Sequence, residues 1–352
     1  MKRLLLFLSL FALTVTLAAC QNAAETSAVR QDTAQTTKEI TDAETARVTE
    51  ADTTHADIVF DTTPVIQNKG DALIVPWNPY CFSPLVTDEY QEAFEKAAHA
   101  ILNRRLTVTL DSKNELYAVS DNLFYEFPPS ALASWEANEN NLTLTFTYRY
   151  EREEHLEKVF AFKDKIEDIL QKTLVYGDKD AEKAILLYHY VAKTVDYFTT
   201  DFEDFKTNAF YGLLENRGIC YTFTDAYNYL LRQVGVDAYL VKGYRAVDRA
   251  EHGWSLVKAE GKYYHCDVTW EANYLSGISF YYFGMNDTRR DKTVVVSDAT
   301  VGEGILQTKL SLSANGEQFN AISGDKFRQN TWKLDRDKRV IHYNGKEYSY
   351  DQ

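Results

Sequence analysis

Three side chains in the second half of the chain have the chemistry of a thiol acyl-transfer site: Cys220, His252 and Asp267. A thiol attacks as the thiolate, its base must stand within hydrogen-bond reach, and a third group must fix the tautomer of that base. Gly218-Ile219-Cys220 precedes the apolar spacing Phe223, Tyr227, Leu230, Leu231, Val234, which stops at Gly235. This pattern predicts a helix with Cys220 in its first turn, where amide groups and the helix dipole favour a thiolate. The period then changes to two. Ala238 to Tyr244 reads as a strand, and Trp254–Lys258 with Lys262–Cys266 reads as a hairpin turning near Glu260-Gly261.

His252 begins one arm of that hairpin and Asp267 ends the other, so pairing register decides whether they meet. If Asp267 lies opposite His252 they are direct neighbours; if it lies opposite Trp254 they are diagonal neighbours on one face. Pairing with Gly253 would turn them to opposite faces. Cys266 alternates with Asp267 and is expected in the core. Cys81 is remote, and a Cys81–Cys266 bridge is the minor alternative to two free thiols. His265 beside Cys266 invites a zinc reading, but no C-x-x-C or H-x-x-x-H spacing accompanies it, so neither metal nor cofactor is expected. Trp254 and Trp270 flank the trio, either as core or as walls of a cleft.

Gly218-Ile219-Cys220, His252-Gly253-Trp254 and the run Tyr263 to Trp270 (YYHCDVTW) together resemble the bacterial transglutaminase-like superfamily, which has a papain-like Cys-His-Asp core. Val195-Asp196-Tyr197, the run Asn208 to Leu214 and the run Tyr281 to Asp287 extend the likeness, so that it covers about residues 175 to 290. By matching positions the resemblance makes Cys220 the nucleophile, His252 the base and later acid, and Asp267 the residue that orients His252. It departs at two places. The family's glycine two residues after the nucleophile is Thr222, which is expected to crowd the site, and the asparagine after His-x-Trp is Ser255.

Other elements must hold this trio in place. A periodic helix from Asp178 to about Val195 (Ala184, Leu187, Tyr188, Val191) is expected to pack against the Cys220 helix. Upstream, Tyr90, Phe94, Ala97 and Ile101 mark a helix, the segments 106–110 and 142–148 alternate like strands, and Ile166, Ile169, Leu170 and Leu174 mark a short connecting helix. The expected fold class is α+β: a papain/transglutaminase-like core with the Cys-bearing helix on an antiparallel sheet, an N-terminal α+β domain and a C-terminal β appendage. Asn344-Gly345 marks a hairpin in that appendage, which is read as a cap on the core.

Met1 to Ala19 has a basic start, Lys2 and Arg3, and then an apolar run too short to span a membrane comfortably, as in an export signal. Leu17-Ala18-Ala19-Cys20 resembles the lipobox of bacterial lipoproteins, which implies lipidation at Cys20. Gln21 to Asp57 has no aromatic residue and cannot offset the entropy of ordering, so a flexible tether is expected. The expected organisation is signal 1–19, tether 20–65, N-terminal domain 66–175, transglutaminase-like domain 176–293 and β extension 294–352.

The formal charge of −14 disfavours nucleic acid as a partner. Four Cys in 352 residues exclude a disulfide-stapled scaffold. The reading is an enzyme on the extracytoplasmic face of a bacterial membrane, acting on peptide, protein or cell-wall peptide amides by hydrolysis or amine transfer. The alternative is an inactive scaffold that binds such ligands. A solvent-reachable Cys220 favours the first and a sealed trio the second.

Overall fold

The computed structural model describes residues 56–198, 203–272, 278–323 and 332–351. The export signal, Cys20 and most of the tether lie outside the described residues. Among those described, no helix is long and apolar enough to cross a membrane.

The centre of the structure is the helix that begins at the proposed nucleophile. It runs Cys220–Gln233, and nearly every one of its side chains is buried. A helix buried on all sides needs neighbours all round, and its own polar groups must find partners. Tyr227 donates its hydroxyl to the Ala184 carbonyl (3.0 Å) in the helix Asp180–Thr194, the periodic helix expected from the sequence. The Tyr229 hydroxyl accepts the Trp77 indole N–H at 2.7 Å. Thr224 donates to the Gly253 carbonyl (3.2 Å), tying the helix to the sheet.

In chain order the elements are α1 (Asp88–Leu102), β1 (Thr107–Thr109), α2 (Lys113–Glu126), β2 (Ala133–Asn138), β3 (Thr143–Tyr148), α3 (Arg152–Thr173), α4 (Asp180–Thr194), β4 (Asp196–Tyr197), α5 (Ala209–Glu215), β5 (Arg217–Gly218) and α6 (Cys220–Gln233). Then come β6 (Ala238–Tyr244), β7 (Glu251–Ala259), β8 (Lys262–Cys266), α7 (Val268–Ala272), α8 (Asp287–Arg290), β9 (Thr300–Val301), β10 (Thr308–Lys309), β11 (Lys333–Asp335), β12 (Val340–Tyr343) and β13 (Lys346–Ser349). The main sheet has the order β10-β9-β6-β7-β8 and is antiparallel throughout; β1-β3-β2 and β11-β12-β13 form two smaller antiparallel sheets.

Two upstream elements differ from expectation. The connecting helix is not short: α3 spans 22 residues, because His155, Val159 and Phe162 continue its buried stripe toward the N-terminus. Helix α2, with Leu116, Val119 and Leu123 buried on one side, is an element the sequence reading left out. One apolar cluster joins α1, α2, α3, α4 and α6 and reaches Ile341 and Tyr350 in the C-terminal ribbon. That ribbon is further pinned by Arg336, which pairs with the buried Asp178 carboxylate (3.2 Å to Oδ2), and by Arg339, which pairs with Glu260 (3.1 Å).

Candidate active site

Cys220 is the first residue of α6, so its backbone N–H lies ahead of the helical hydrogen-bond ladder. Thr222 secures this end: its hydroxyl accepts from the Ile219 N–H (3.2 Å) and donates to the Thr207 carbonyl (3.1 Å). The expectation that Thr222 crowds the site is corrected. Its side chain points at Gly212 and Gly218, where an added Cβ would lie 2.4 and 2.3 Å from it, so those glycines leave the space that the threonine fills. The buried Asp225 accepts the Ala209 N–H at 2.7 Å and so ties the start of α5 to the same helix.

The β7–β8 ribbon turns at Glu260 and Gly261, both with positive φ (51° and 79°), the combination that a two-residue hairpin turn of matching twist requires. Its register pairs Ser255 with Cys266 and Leu256 with His265. Continued by one residue, this places Asp267 opposite Trp254, the diagonal arrangement that puts it on the same face as His252. His252 Nε2 lies 2.7 Å from Asp267 Oδ2. Asp267 Oδ1 accepts the Trp270 N–H (3.0 Å), and the Asp267 N–H is held by the Tyr282 carbonyl (2.8 Å).

Gly253 turns toward α6, where a Cβ would sit 2.7 Å from the Tyr221 ring. His252 and Trp254 therefore turn to the other face. The chain rounds the end of β8 through α7, and this five-residue helix touches both parts of the site. Thr269 sends its hydroxyl to the Cys220 carbonyl (3.5 Å), while Trp270 lies nearly flat on the His252 imidazole, with centroids 4.9 Å apart and planes 20° apart. Trp254 lies in a similar orientation at 6.2 Å.

One residue at the centre of this arrangement was not singled out from the sequence. Arg290, at the end of α8 and fully buried, donates to the same Asp267 Oδ2 at 2.7 Å. Its guanidinium stands 4.7 Å from the Trp254 ring and 4.9 Å from the Trp270 ring. Burial alone would raise the Asp267 carboxyl, but the charges of His252 and Arg290, with the hydrogen bonds it accepts, bring it down to about 2. Asp267 is thus an anion throughout the physiological range. Arginines are usually surface residues, and nothing in the spacing around Arg290 marks it as buried.

Cys220 is 1% exposed, and His252 and Asp267 are 0% exposed, so each of the three side chains is buried, with His252 in direct contact with Asp267. Trp254 is fully buried and Trp270 half-buried, the second at the edge between core and surface. Cys81 and Cys266 are both free thiols, so the bridge considered between them is absent. Burial pushes each of these thiols up to about 12, which keeps them protonated at neutral pH. Among the described residues there is no cluster of three His, Cys, Asp or Glu able to hold a metal ion.

Residues 167–268 match the family model of the transglutaminase-like superfamily. The chain carries a transglutaminase-like domain. The match includes Cys220, His252 and Asp267 and ends two residues before Trp270. Among solved structures, a candidate cysteine protease from Cytophaga hutchinsonii is similar at 19% identity and a TM-score of 0.24, covering 32% of this chain and 36% of its own. A TGase is similar at 16% identity and a TM-score of 0.28, covering 46% of this chain and 48% of its own. The chain thus spans less than half of either structure. No curated protein matches it.

Proposed function

We propose that the protein is a thiol acyl-transfer enzyme acting on peptide or protein amides, with Cys220 as nucleophile. The observation that carries this reading is the buried His252–Asp267 hydrogen bond, linked through α7 to a cysteine that opens a helix: Trp270 lies on the His252 ring and Thr269 reaches the Cys220 carbonyl. With Nε2 committed to Asp267, Nδ1 is the ring nitrogen that serves the thiol, around the end of β8. The Cys220 sulfur attacks the amide carbonyl carbon as its proton passes to His252. The C–N bond then breaks and the leaving amine takes that proton, which leaves a thioester. Water or a second amine next gives its proton to His252, attacks the thioester carbonyl and releases the sulfur, which takes that proton back as the thiol. The Cys220 N–H, at the helix start, is the natural donor to the oxyanion. We place this chemistry outside the cell, on a chain exported by residues 1–19 and anchored through Cys20.

The test is incubation of the full chain with a peptide library and an amine donor, read by mass. The reading requires products whose formation falls by at least about 10³-fold in Cys220→Ala. Iodoacetamide should also label Cys220 ahead of Cys81 and Cys266 at neutral pH. Products undiminished in Cys220→Ala, or equal Cys220 labelling in wild type and His252→Ala, would refute it.

The burial of all three side chains favours a second reading, a scaffold that keeps the fold and binds cell-wall or protein ligands. That reading expects no products and slow labelling of Cys220 in every variant.

A further inference from the structure

Arg290 and His252 share one oxygen. Asp267 Oδ2 lies 2.7 Å from His252 Nε2 and 2.7 Å from an Arg290 guanidinium nitrogen. A second, charge-assisted hydrogen bond on that oxygen fixes the carboxylate in the rotamer His252 needs. It also sets a permanent cation close to a ring that becomes cationic during the proposed reaction.

The placement of Arg290 is built from several sides. Helix α8 is capped by Asn286, which accepts the Arg289 N–H at 2.9 Å. Asp287, the first residue of α8, is held by the Ala314 N–H (3.1 Å), the Ser313 hydroxyl (2.9 Å) and His265 Nε2 (3.0 Å). The Arg290 side chain reaches Thr293 at 3.3 Å and is flanked by the same two indoles that lie along His252. A buried arginine is costly unless its partner is fixed and charged, and here the partner is the proposed orienting residue.

We propose that Arg290 is a positioning residue for the His252–Asp267 pair: it locks the carboxylate that orients His252, and its charge narrows the pH range over which the imidazolium persists. This rests on the function proposed above only for its catalytic meaning. The groups around His252 that bear on its charge are Asp267 at the end of β8, Arg290 on α8 and the His265–Asp287 pair behind Trp254, together with the proposed nucleophile Cys220 at the start of α6. Glu251, on the same strand, turns to the other face and pairs with the Tyr221 hydroxyl.

The experiment follows the His252 ring by carbon-13 NMR of histidine-labelled full chain, in a Cys220→Ala background so that the proposed nucleophile does not titrate with it. Arg290→Gln should raise the His252 midpoint by about one pH unit, the size expected for a nearby charge at intermediate dielectric. Arg290→Lys should keep the midpoint of the parent. An unmoved midpoint in Arg290→Gln overturns the proposal. If Arg290→Gln does not fold by circular dichroism, Asp267→Asn/Arg290→Gln is compared with Asp267→Asn. A higher midpoint in the double variant supports the proposal, and equal midpoints overturn it. The readout needs no substrate, so a protein with no acyl-transfer activity leaves this result standing, and the reverse also holds.

Discussion

The indole N–H of Trp254 points at Nδ1 of His265, 3.0 Å away. An indole can only donate, so Nδ1 accepts, and the imidazole proton sits on Nε2, facing Asp287 at 3.0 Å. The tautomer of His265 is therefore set by its neighbours. Burial lowers its pKa against the pull of Asp287, which keeps it in this neutral form. This second His–Asp pair, behind the proposed catalytic one, holds the indole that borders both His252 and Arg290.

Replacing His265 by Leu leaves that buried indole N–H unmatched and is expected to cost about 1–3 kcal/mol of stability. His265→Asn, which restores an acceptor near the Nδ1 position, should recover part of it. Urea unfolding of both variants checks this, and equal losses would show that the Trp254 bond contributes nothing.

The fit of Thr222 against Gly212 yields a compensating pair. Gly212→Ala places a methyl 2.4 Å from the Thr222 Cγ2 and should destabilise by about 1–3 kcal/mol. Thr222→Ser removes that methyl and keeps the hydroxyl that secures the helix start. The double variant should melt well above Gly212→Ala alone; additive losses would rule out the contact.

Two buried groups oppose each other in pH dependence. His155, with Nε2 at 2.8 Å from the Ile101 carbonyl, is lowered by burial from 6.5 to about 4. The unfolded chain takes up this proton first, so stability falls by about 3 kcal/mol as pH drops from 6.5 to 4. Asp225 is raised by burial from 3.8 to about 7, so its contribution is fully present below 3.8 and is lost as pH rises through 7. The wild type should therefore show a shallow profile between pH 4 and 6.5. His155→Gln should unmask a decline with rising pH, and Asp225→Asn should be the more stable chain at alkaline pH. Denaturation across pH tests both, and parallel profiles for all three chains would contradict the assignment.

Asp267 shifts in the opposite direction to Asp225. Its lowered pKa means that its stabilisation is present above 3.8 and disappears as pH falls through about 2. Asp267→Asn strands the Arg290 charge in the interior and should cost about 3–5 kcal/mol at pH 7. The loss should shrink in strong acid, where the wild-type carboxyl is itself protonated; a loss independent of pH would argue against the ion pair.

Helix α6 and the strands β6 to β8 were legible because each has a single strong period. Cys220 opens its helix as expected, β6 has its expected ends, and the hairpin turn falls at Glu260-Gly261. What escaped were features made by tertiary partners. Helix α7 is five residues long and has no room for a periodic stripe, yet it contributes Thr269 and Trp270. Arg290 reads as one more surface charge until Asp267 is placed beside it. Thr222 looked obstructive because its direction depends on two glycines, one of them ten residues upstream.

The β7–β8 ribbon also governs how the gene can vary in length. A single residue added at the tip must bulge outward there. Were it passed down the ribbon instead, Cys266 and Asp267 would exchange sides, with a sulfur facing the imidazole and a carboxylate thrust among hydrocarbon. A solvent-facing bend, where insertions would ordinarily be harmless, must thereby absorb an odd-numbered one wholly at its tip.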